Sequence, residues 1–244
     1  MLFVVFGQPK SASTFLSRMT RYTCEAAGSD QDSVKARVLT GPLEGKRQFW
    51  GGELFPIPAV ADRLNPGEHM SIKTHATFRP LFKKTFARDD IQVLLSYRHP
   101  GDAALSAFEA GARARQNGQT NRPYFSSLTS HRVAIEKMAN YVQNVVTPWL
   151  QSGLALPFSY HQVTREAPKV LETLRQRIGV SQAALDANAD LSDLLSGQQR
   201  TYNFNKGVSG RHTEVFSQAD LDYLHERCDR FIAFCEGEIA ASEL

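Results

Sequence analysis

Cysteine is scarce in this sequence of 244 residues, which contains only Cys24, Cys228 and Cys235. No Cys-x-x-Cys pair occurs, and Cys228 and Cys235 lie about 10 Å apart along a segment with helical periodicity, too far to form a bridge. The sequence therefore predicts neither a disulfide framework nor a thiolate metal site. We expect buried thiols in a reducing compartment, the cytoplasm.

Long apolar runs and dense charge of one sign are also missing. No run approaches the length of a membrane span, and the brief apolar start lacks the basic flank of a signal peptide, so neither is expected. The net charge is only +3. The basic stretch 113–122 is short and is interpreted as a solvated loop, so no nucleic-acid partner is expected.

The segments that are present alternate between strands and helices. Leu2–Phe6 and Ile91–Tyr97 are apolar runs typical of buried parallel strands. The alternation predicts an α/β fold, with residues 1–244 as one domain and a helix-rich C-terminal half. Strands are expected at 2–6, 69–73, 91–97 and 154–160. Helices are expected at 13–27, 59–65, 79–87, 100–112, 129–152, 166–178 and 181–196 and after Ser217, with loops at 41–58 and 201–216.

The loop after the first strand is the most informative segment. Residues 6–16 read Phe-Gly-Gln-Pro-Lys-Ser-Ala-Ser-Thr-Phe-Leu, with one lysine and three hydroxyl side chains just before a predicted helix. Backbone N–H groups and the positive end of the helix dipole point at such a loop, so it favours an anion. It does not match the P-loop pattern G-x-x-x-x-G-K-[ST], because Ala12 takes the place of the second glycine and no lysine follows.

Two further residues are predicted to join this loop. His75 and Arg98, like Lys10, each follow a predicted strand. Ligands of parallel α/β sheets bind beyond the carboxyl ends of the strands, so we expect these three side chains at one edge of the sheet.

Two more motifs suit a second phosphate group. Ser106 follows Arg98 by two helical turns, and a planar guanidinium with a nearby hydroxyl can hold one phosphate. A pairing of Arg98 with Asp102 is the structural alternative. The segment Asn205–Arg211 combines two glycines with two cations, which lets backbone amides approach an anion.

Taken in order, these motifs resemble the family of sulfotransferases that use 3′-phosphoadenosine 5′-phosphosulfate (PAPS). Members carry a PKSGTTW-like loop, a KTH-type tripeptide, an R-x7-S element and an RKGxxG-like loop. The segment from Phe158 through Tyr160 to a helix ending near Gly179 is also similar, so the resemblance covers nearly the whole chain. It implies a three-layer α/β sandwich with a mostly parallel sheet of the nucleotide-kinase type.

The resemblance also implies roles for individual residues. The first loop would hold the 5′-phosphosulfate, Phe15 would stand where the family has an adenine-stacking tryptophan, and Tyr160 would lie near the adenine. Arg98 and Ser106 would hold the 3′-phosphate. The full set of implied cofactor-binding residues is Lys10, Ser11, Ala12, Ser13, Thr14, Phe15, Arg98, Ser106, Tyr160, Lys206, Gly207 and Arg211.

For catalysis, the resemblance implies His75 as the general base and Lys10 as the cation that stabilises the departing phosphate. A neutral imidazole can accept the proton of an acceptor hydroxyl near neutral pH, and an ammonium offsets charge on the leaving oxygen. The scheme requires no metal. The other candidate bases are Glu53, Glu68, His69 and His99.

Several positions depart from the family pattern. Ala12 replaces a glycine, Phe15 a tryptophan and Asn205 a basic residue, while residues 161–163 replace Glu-Asp-Leu. None of these changes removes a group that the chemistry requires, and they indicate an outlying member of bacterial type.

The expected reaction is transfer of a sulfuryl group from PAPS to a hydroxyl of a small molecule, a lipid or a glycan. The loops 41–58 and 113–128 are expected to set the acceptor, and Phe49, Trp50 and Phe55 line its pocket or belong to the core. A nucleotide-dependent kinase, which would need magnesium, and a nucleotide-binding module without catalysis are the alternatives. The sequence leaves the oligomeric state open.

Overall fold

The computed structural model of the protein describes residues 1–46, 48–49, 56–119, 123–196 and 209–244. Its strands are β1 Leu2–Gly7, β2 Gln48–Phe49, β3 Met70–Thr74, β4 Ile91–Tyr97 and β5 Ala155–Ser159. They form one sheet in the order β2-β3-β1-β4-β5, and each pairing between them is parallel. The predicted α/β class with a parallel sheet is therefore confirmed.

Helices cover both faces of this sheet. They are α1 Ser13–Ala26, α2 Gln31–Val38, α3 Ile57–Ala61, α4 Lys83–Phe86, α5 Pro100–Gln116, α6 Pro123–Ser126, α7 His131–Tyr141, α8 Thr147–Gln151, α9 Tyr160–Arg165, α10 Ala167–Ile178, α11 Gln182–Asp186, α12 Ala189–Leu195, α13 His212–Val215 and α14 Gln218–Glu236. Short 3₁₀ turns lie at Gly41–Leu43, Pro80–Phe82 and Ala241–Glu243, and a π-helical turn at Val142–Val146. No helix within the described ranges is both long enough and apolar enough to cross a membrane.

The central strand β1 divides the core between the two faces. Successive side chains of a strand point to opposite sides. Phe6, with Leu2 and Val4, belongs to a large cluster on one face, whereas Phe3 and Val5 belong to a second cluster on the other. Because β1 is buried along its whole length, its carboxyl end is rigidly placed between the two helical layers. The expected three layers are thereby confirmed.

Some predicted elements were wrong in extent. The helix α2 was not predicted, because only Gln31, Val34 and Val38 face the core and its apolar period is weak. It begins because the Asp30 carboxylate accepts the N–H groups of Asp32 and Ser33. The expected loop 41–58 contains β2 and the start of α3, and the expected loop 201–216 contains α13.

Two of the predicted helices are each interrupted. The segment 129–152 contains the π-helical turn, after which Pro148, which has no N–H to donate, lies in the first turn of α8. The segment 181–196 is divided into α11 and α12, because the Asn188 side chain accepts the N–H of Leu191 and starts a new helix.

Candidate active site

Three loops with basic side chains meet at the carboxyl edge of the sheet. Since β3, β1 and β4 are adjacent and parallel, the residues that follow them lie side by side. Lys10 lies in the loop after β1, His75 directly follows β3, and Arg98 directly follows β4. The predicted gathering of these residues at one edge is confirmed.

The loop between β1 and α1 is a tight turn. Lys10 and Ala12 both have left-handed backbone conformations, with φ angles of 68° and 65°. Ser11 donates its N–H and its hydroxyl to the carbonyl oxygen of Gln8, at 3.2 and 2.7 Å, and its hydroxyl oxygen lies 2.8 Å from that of Ser96. The buried Ser11 hydroxyl thus shapes the loop, and its predicted contact with the cofactor stays a prediction.

Helix α1 begins directly against the end of β1 because Gly7 has no side chain. A Cβ atom at Gly7 would lie 2.2 Å from Ser13 Cβ and 2.5 Å from Ser96 Oγ. Ala12 is the N-cap residue of α1 and has no side-chain oxygen to close the first turn. The positive end of the α1 dipole is therefore placed at the Lys10 loop, as expected for an anion site.

Lys73, the first residue of the KTH-type tripeptide Lys73-Thr74-His75, lies beside the first loop although the sequence predicts no role for it. Its Nζ donates to Thr14 Oγ1 at 2.9 Å, across the loop from β3 to the start of α1. Burial lowers the pKa of Lys73 to about 8. Lys73 lies in β3 and His75 directly follows the strand, so their spacing of two residues directs both side chains to the same face of the sheet. That alternation was the signal that could have assigned Lys73 to the site.

The position of His75 is fixed by the end of β1. Its Nδ1 lies 3.0 Å from the carbonyl oxygen of Gly7, and because a carbonyl only accepts, Nδ1 must carry the proton. Nε2 of the neutral ring is then the basic atom. Burial, followed by the charge of Lys73, lowers the pKa of His75 to about 4. The imidazole is therefore neutral at neutral pH.

Arg98 joins the loop of β4 to those of β1 and β5. Its guanidinium carbon lies 3.9 Å from the ring centroid of Tyr160, the first residue of α9, and its Nη1 donates to the carbonyl oxygen of Lys10 at 3.3 Å. Its backbone N–H donates to Gln8 Oε1 at 2.8 Å. The structure thus brings together Lys10, Arg98 and Tyr160, three of the predicted cofactor-binding residues.

Two more of the predicted residues lie on the helices that follow the loops of Lys10 and Arg98. Ser106 is buried on α5, two turns beyond Arg98. Phe15 is half-buried on α1 beside the apolar cluster that contains Phe3. The Nζ of Lys10 lies 5.2 Å from the ring centroid of Phe125, so α6 forms one wall beside the first loop.

The C-terminal segment, residues 210–216 with helix α13, is attached to the start of α5. Both carboxylate oxygens of Asp102 accept the N–H of Gly210, at 3.0 and 2.9 Å, and Oδ1 lies 3.0 Å from His212 Nδ1. Burial raises the pKa of Asp102, but the hydrogen bonds from His212 and Gly210 outweigh it, so the pKa lies below its usual range. Asp102 therefore pairs with this segment and not directly with Arg98, the alternative left open by the sequence.

Arg211 makes an ion pair inside the protein. It donates to both carboxylate oxygens of Glu109 on α5, at 3.3 and 2.7 Å. The hydrogen bonds to Glu109 raise the pKa of Arg211 and outweigh the opposing effect of burial. A contact of Arg211 with phosphate stays a prediction, and it would require the guanidinium to be shared with Glu109.

One known protein family matches nearly the whole sequence. The model described as "Sulfotransferase domain" matches residues 3–233. The chain belongs to this sulfotransferase family. No protein with a curated description matches the sequence significantly.

Solved sulfotransferase structures share the fold at low sequence identity. The mouse sulfotransferase SULT7A1, crystallised with adenosine 3′,5′-bisphosphate (PAP), is 15% identical, with a TM-score of 0.57 over 98% of this chain and 88% of its own. A retinol dehydratase crystallised with androsterone and PAP is 14% identical, with a TM-score of 0.53 over 94% of this chain and 79% of its own. The expected sulfotransferase family and fold are confirmed.

The structure of this sulfotransferase also places the other candidate bases that it describes. Glu68 and His69 precede β3 and therefore lie at the amino edge of the sheet, opposite the Lys10 loop, a position that does not favour either as the base. His99 Nδ1 accepts the N–H of Gly101 at 3.2 Å, and its ring stacks on that of His212 with centroids 4.4 Å apart. His99 therefore belongs to the attachment of the C-terminal segment.

Several predicted residues lie outside the described part of the sulfotransferase. The predicted cofactor residues there are Lys206 and Gly207. The others are Glu53, a candidate base, and the aromatic residues Trp50 and Phe55, and the side chain of Phe49 is likewise not described.

Proposed function

We propose that this sulfotransferase transfers the sulfuryl group of PAPS to an acceptor hydroxyl, with His75 as the general base. The observation that carries the proposal is the contact between His75 Nδ1 and the Gly7 carbonyl oxygen, at 3.0 Å. It leaves Nε2 as the basic atom of a neutral ring, at the sheet edge where Lys10 and Arg98 gather.

The proposed cofactor site uses the two loops that Arg98 joins. The loop of Lys10, with the amino end of α1 behind it, suits the 5′-phosphosulfate. The buried Arg98 and Ser106 suit the 3′-phosphate, because a guanidinium held on an aromatic ring is preorganised to donate hydrogen bonds to oxygens. Phe15 and Tyr160 offer aromatic faces for the adenine. Lys206, Gly207 and Arg211 are proposed to complete the 3′-phosphate contacts.

The proposed reaction is an in-line displacement at sulfur. The acceptor oxygen forms a new bond to sulfur while the bond from sulfur to the bridging oxygen of the phosphosulfate breaks. The hydroxyl proton moves to His75 Nε2, and the electron pair of the broken bond stays on the bridging oxygen. Lys10 and Lys73 supply positive charge beside the first loop, where that negative charge develops.

Membership of the sulfotransferase family argues against the alternative of a kinase. Family membership does not specify the acceptor. We propose a small-molecule, lipid or glycan hydroxyl, reached between the first loop and α6, since the ring of Phe125 lies beside Lys10. The three free thiols, of which Cys24 and Cys228 are buried, fit the cytoplasmic location that we propose.

The test is formation of PAP from PAPS in magnesium-free buffer with a panel of phenols, lipid alcohols and sugars. Since general base catalysis contributes about 10²–10⁴-fold, His75→Ala should lower kcat by about that factor with little change in PAP affinity. His225→Ala, at an exposed histidine of α14, is the matched control and should leave kcat unchanged. Unchanged kcat in His75→Ala, or a requirement for magnesium and ATP, would contradict the proposal.

A further inference from the structure

A buried glutamine lies where the two proposed phosphate-binding loops meet. Gln8 is the first residue after β1, and its side chain is completely buried. The side-chain oxygen accepts the N–H of Arg98 at 2.8 Å, and the side-chain nitrogen lies 3.3 Å from the sulfur of Met138. The amide orientation is set by its partners, because the Arg98 N–H can only donate.

The Gln8 side chain continues the sheet where the backbone ladder ends. The paired residues of β1 and β4 run as far as Gly7 and Ser96, and the N–H of Gln8 donates to the Ser96 carbonyl oxygen at 3.1 Å. Beyond this point the chain after β1 turns into the Lys10 loop. The Arg98 N–H is still buried there and needs an acceptor, which the Gln8 amide supplies.

Gln8 also shapes the first turn of the Lys10 loop. The main-chain carbonyl oxygen of Gln8 accepts both the hydroxyl and the N–H of Ser11. The guanidinium of Arg98 in turn donates to the carbonyl oxygen of Lys10. Arg98 therefore ties the loop after β4 to the loop after β1 at two points, Gln8 and Lys10.

We propose that Gln8 is a positioning residue that fixes the spacing between the 5′-phosphosulfate and 3′-phosphate sites. It thereby makes the protein selective for a nucleotide that carries both groups. The inference rests on the proposed function, which assigns the 3′-phosphate to Arg98. Gln8 acts through the backbone of Arg98 and does not itself touch the nucleotide.

The test compares the affinities of PAP and adenosine 5′-monophosphate (AMP), which differ only by the 3′-phosphate. Gln8→Met keeps the side-chain volume but removes the acceptor of the Arg98 N–H. We expect the dissociation constant for AMP divided by that for PAP to fall roughly tenfold, equivalent to ~1.4 kcal/mol. The AMP affinity itself should stay within about twofold, or ~0.4 kcal/mol.

Gln31→Met is the matched control. Gln31 is equally buried, and its side chain accepts the N–H of Ser71 at 2.8 Å and donates to the carbonyl oxygen of His69 at 2.8 Å. These contacts lie at the start of β3, at the opposite edge of the sheet. The control should lower stability but leave the PAP-to-AMP ratio unchanged.

The outcomes separate this inference from the proposed function. A wild-type protein that binds PAP no better than AMP would overturn both. A wild-type preference for PAP that persists in Gln8→Met, or that falls equally in Gln31→Met, would overturn the role of Gln8 alone. If Gln8→Met does not fold, Gln8→Asn, whose amide is one methylene too short to reach the Arg98 N–H, provides the same readout.

Discussion

At the residue scale, Lys73 and His75 set opposite limits on the pH range of the proposed reaction. In the free protein, His75 is neutral above its pKa of about 4, and Lys73 is charged below its pKa of about 8. We predict that kcat/KM for PAPS is level between these values. The value of kcat/KM should decrease as the pH falls below about 4, where His75 is protonated. It should also decrease as the pH rises above about 8, where Lys73 loses its charge.

The variant Lys73→Gln assigns the alkaline limit. A glutamine can still donate to Thr14 but has no charge to lose, so kcat/KM should be lower throughout and should no longer fall near pH 8. The pH profiles of the two proteins provide the measurement. A decrease near pH 8 that persists in Lys73→Gln would show that another group titrates there.

Ala12 provides a prediction about stability. Its left-handed backbone, with φ of 65°, costs an alanine about 1–2 kcal/mol, whereas glycine adopts it readily. We therefore predict that Ala12→Gly stabilises the protein by about 1 kcal/mol, less the extra chain entropy of glycine. The midpoint of thermal unfolding should rise by about 2–4 °C. Ala12→Val, branched at Cβ, should lower it, and a lower midpoint in Ala12→Gly would contradict the account.

The site was predictable at residue scale where a clear strand is followed by a residue that can carry charge or a proton. Lys10, His75 and Arg98 were found because each follows a strand that the sequence shows clearly. The contribution of Gln8 was not predictable, because a buried amide that bonds to a backbone 90 positions away leaves no local pattern. Ser11 was expected at the cofactor from its residue type alone, and only the structure shows that its hydroxyl also bonds within the loop.

At the element scale, the attachment of α13 to α5 should control the C-terminal half of the proposed cofactor site. Gly101 permits the attachment, because a Cβ there would lie 2.5 Å from the His212 ring. Asp102 accepts from both Gly210 and His212. A carboxylate in this role is worth about 1.5–3 kcal/mol per hydrogen bond.

We predict that Asp102→Asn, with one acceptor oxygen in place of two, releases this segment. Hydrogen exchange should become faster at 210–216 while that of β1 and β4 stays unchanged, and PAP affinity should fall. Asp229→Asn, at an exposed position of α14, is the control. Unaltered exchange at 210–216 would show that the Asp102 contacts do not hold the segment.

The helices show why element bounds were harder to predict than element types. The strands β1 and β4 are continuous apolar runs and were located closely. The break between α11 and α12 depends on one side chain, Asn188, that competes for a backbone N–H, and the sequence around it keeps a helical period. Helix α2 depends on its cap more than on its apolar face.

At the scale of the whole molecule, the larger core cluster contacts the residue that follows the proposed base. Trp149 is completely buried, with ring centroids 5.7, 5.0 and 5.2 Å from Phe6, Phe78 and Phe86. Its Nε1 donates to the carbonyl oxygen of Ala76, the residue after His75, at 2.9 Å. The core thereby restrains the loop that carries His75.

We predict that Trp149→Phe lowers both stability and kcat. The variant loses packing and leaves the Ala76 carbonyl without its donor, at a cost of about 2–4 kcal/mol. Phe86→Leu, which changes a contact with the same ring but leaves the Trp149 hydrogen bond to Ala76 in place, should lower stability alone. Urea unfolding and steady-state kinetics of both variants are the measurements. An equal loss of kcat in Phe86→Leu would mean that packing in general, not the Ala76 contact, supports the base.

The fold as a whole was predictable because alternating buried strands and helices allow few arrangements. The strand order and the two faces of β1 follow the parallel α/β pattern. The short strand β2 was not predicted, because two residues at an edge of the sheet carry no period of their own.

The central claim is that the edge formed by Lys10, His75 and Arg98 binds a nucleotide with a 3′-phosphate. Calorimetric titration of the protein with PAP and with ATP, in magnesium-free buffer, tests it most directly. The account predicts that PAP binds much more tightly than ATP and that Arg98→Lys, which loses the planar guanidinium, removes most of this preference. No binding of PAP, or tighter binding of ATP when magnesium is added, would contradict it.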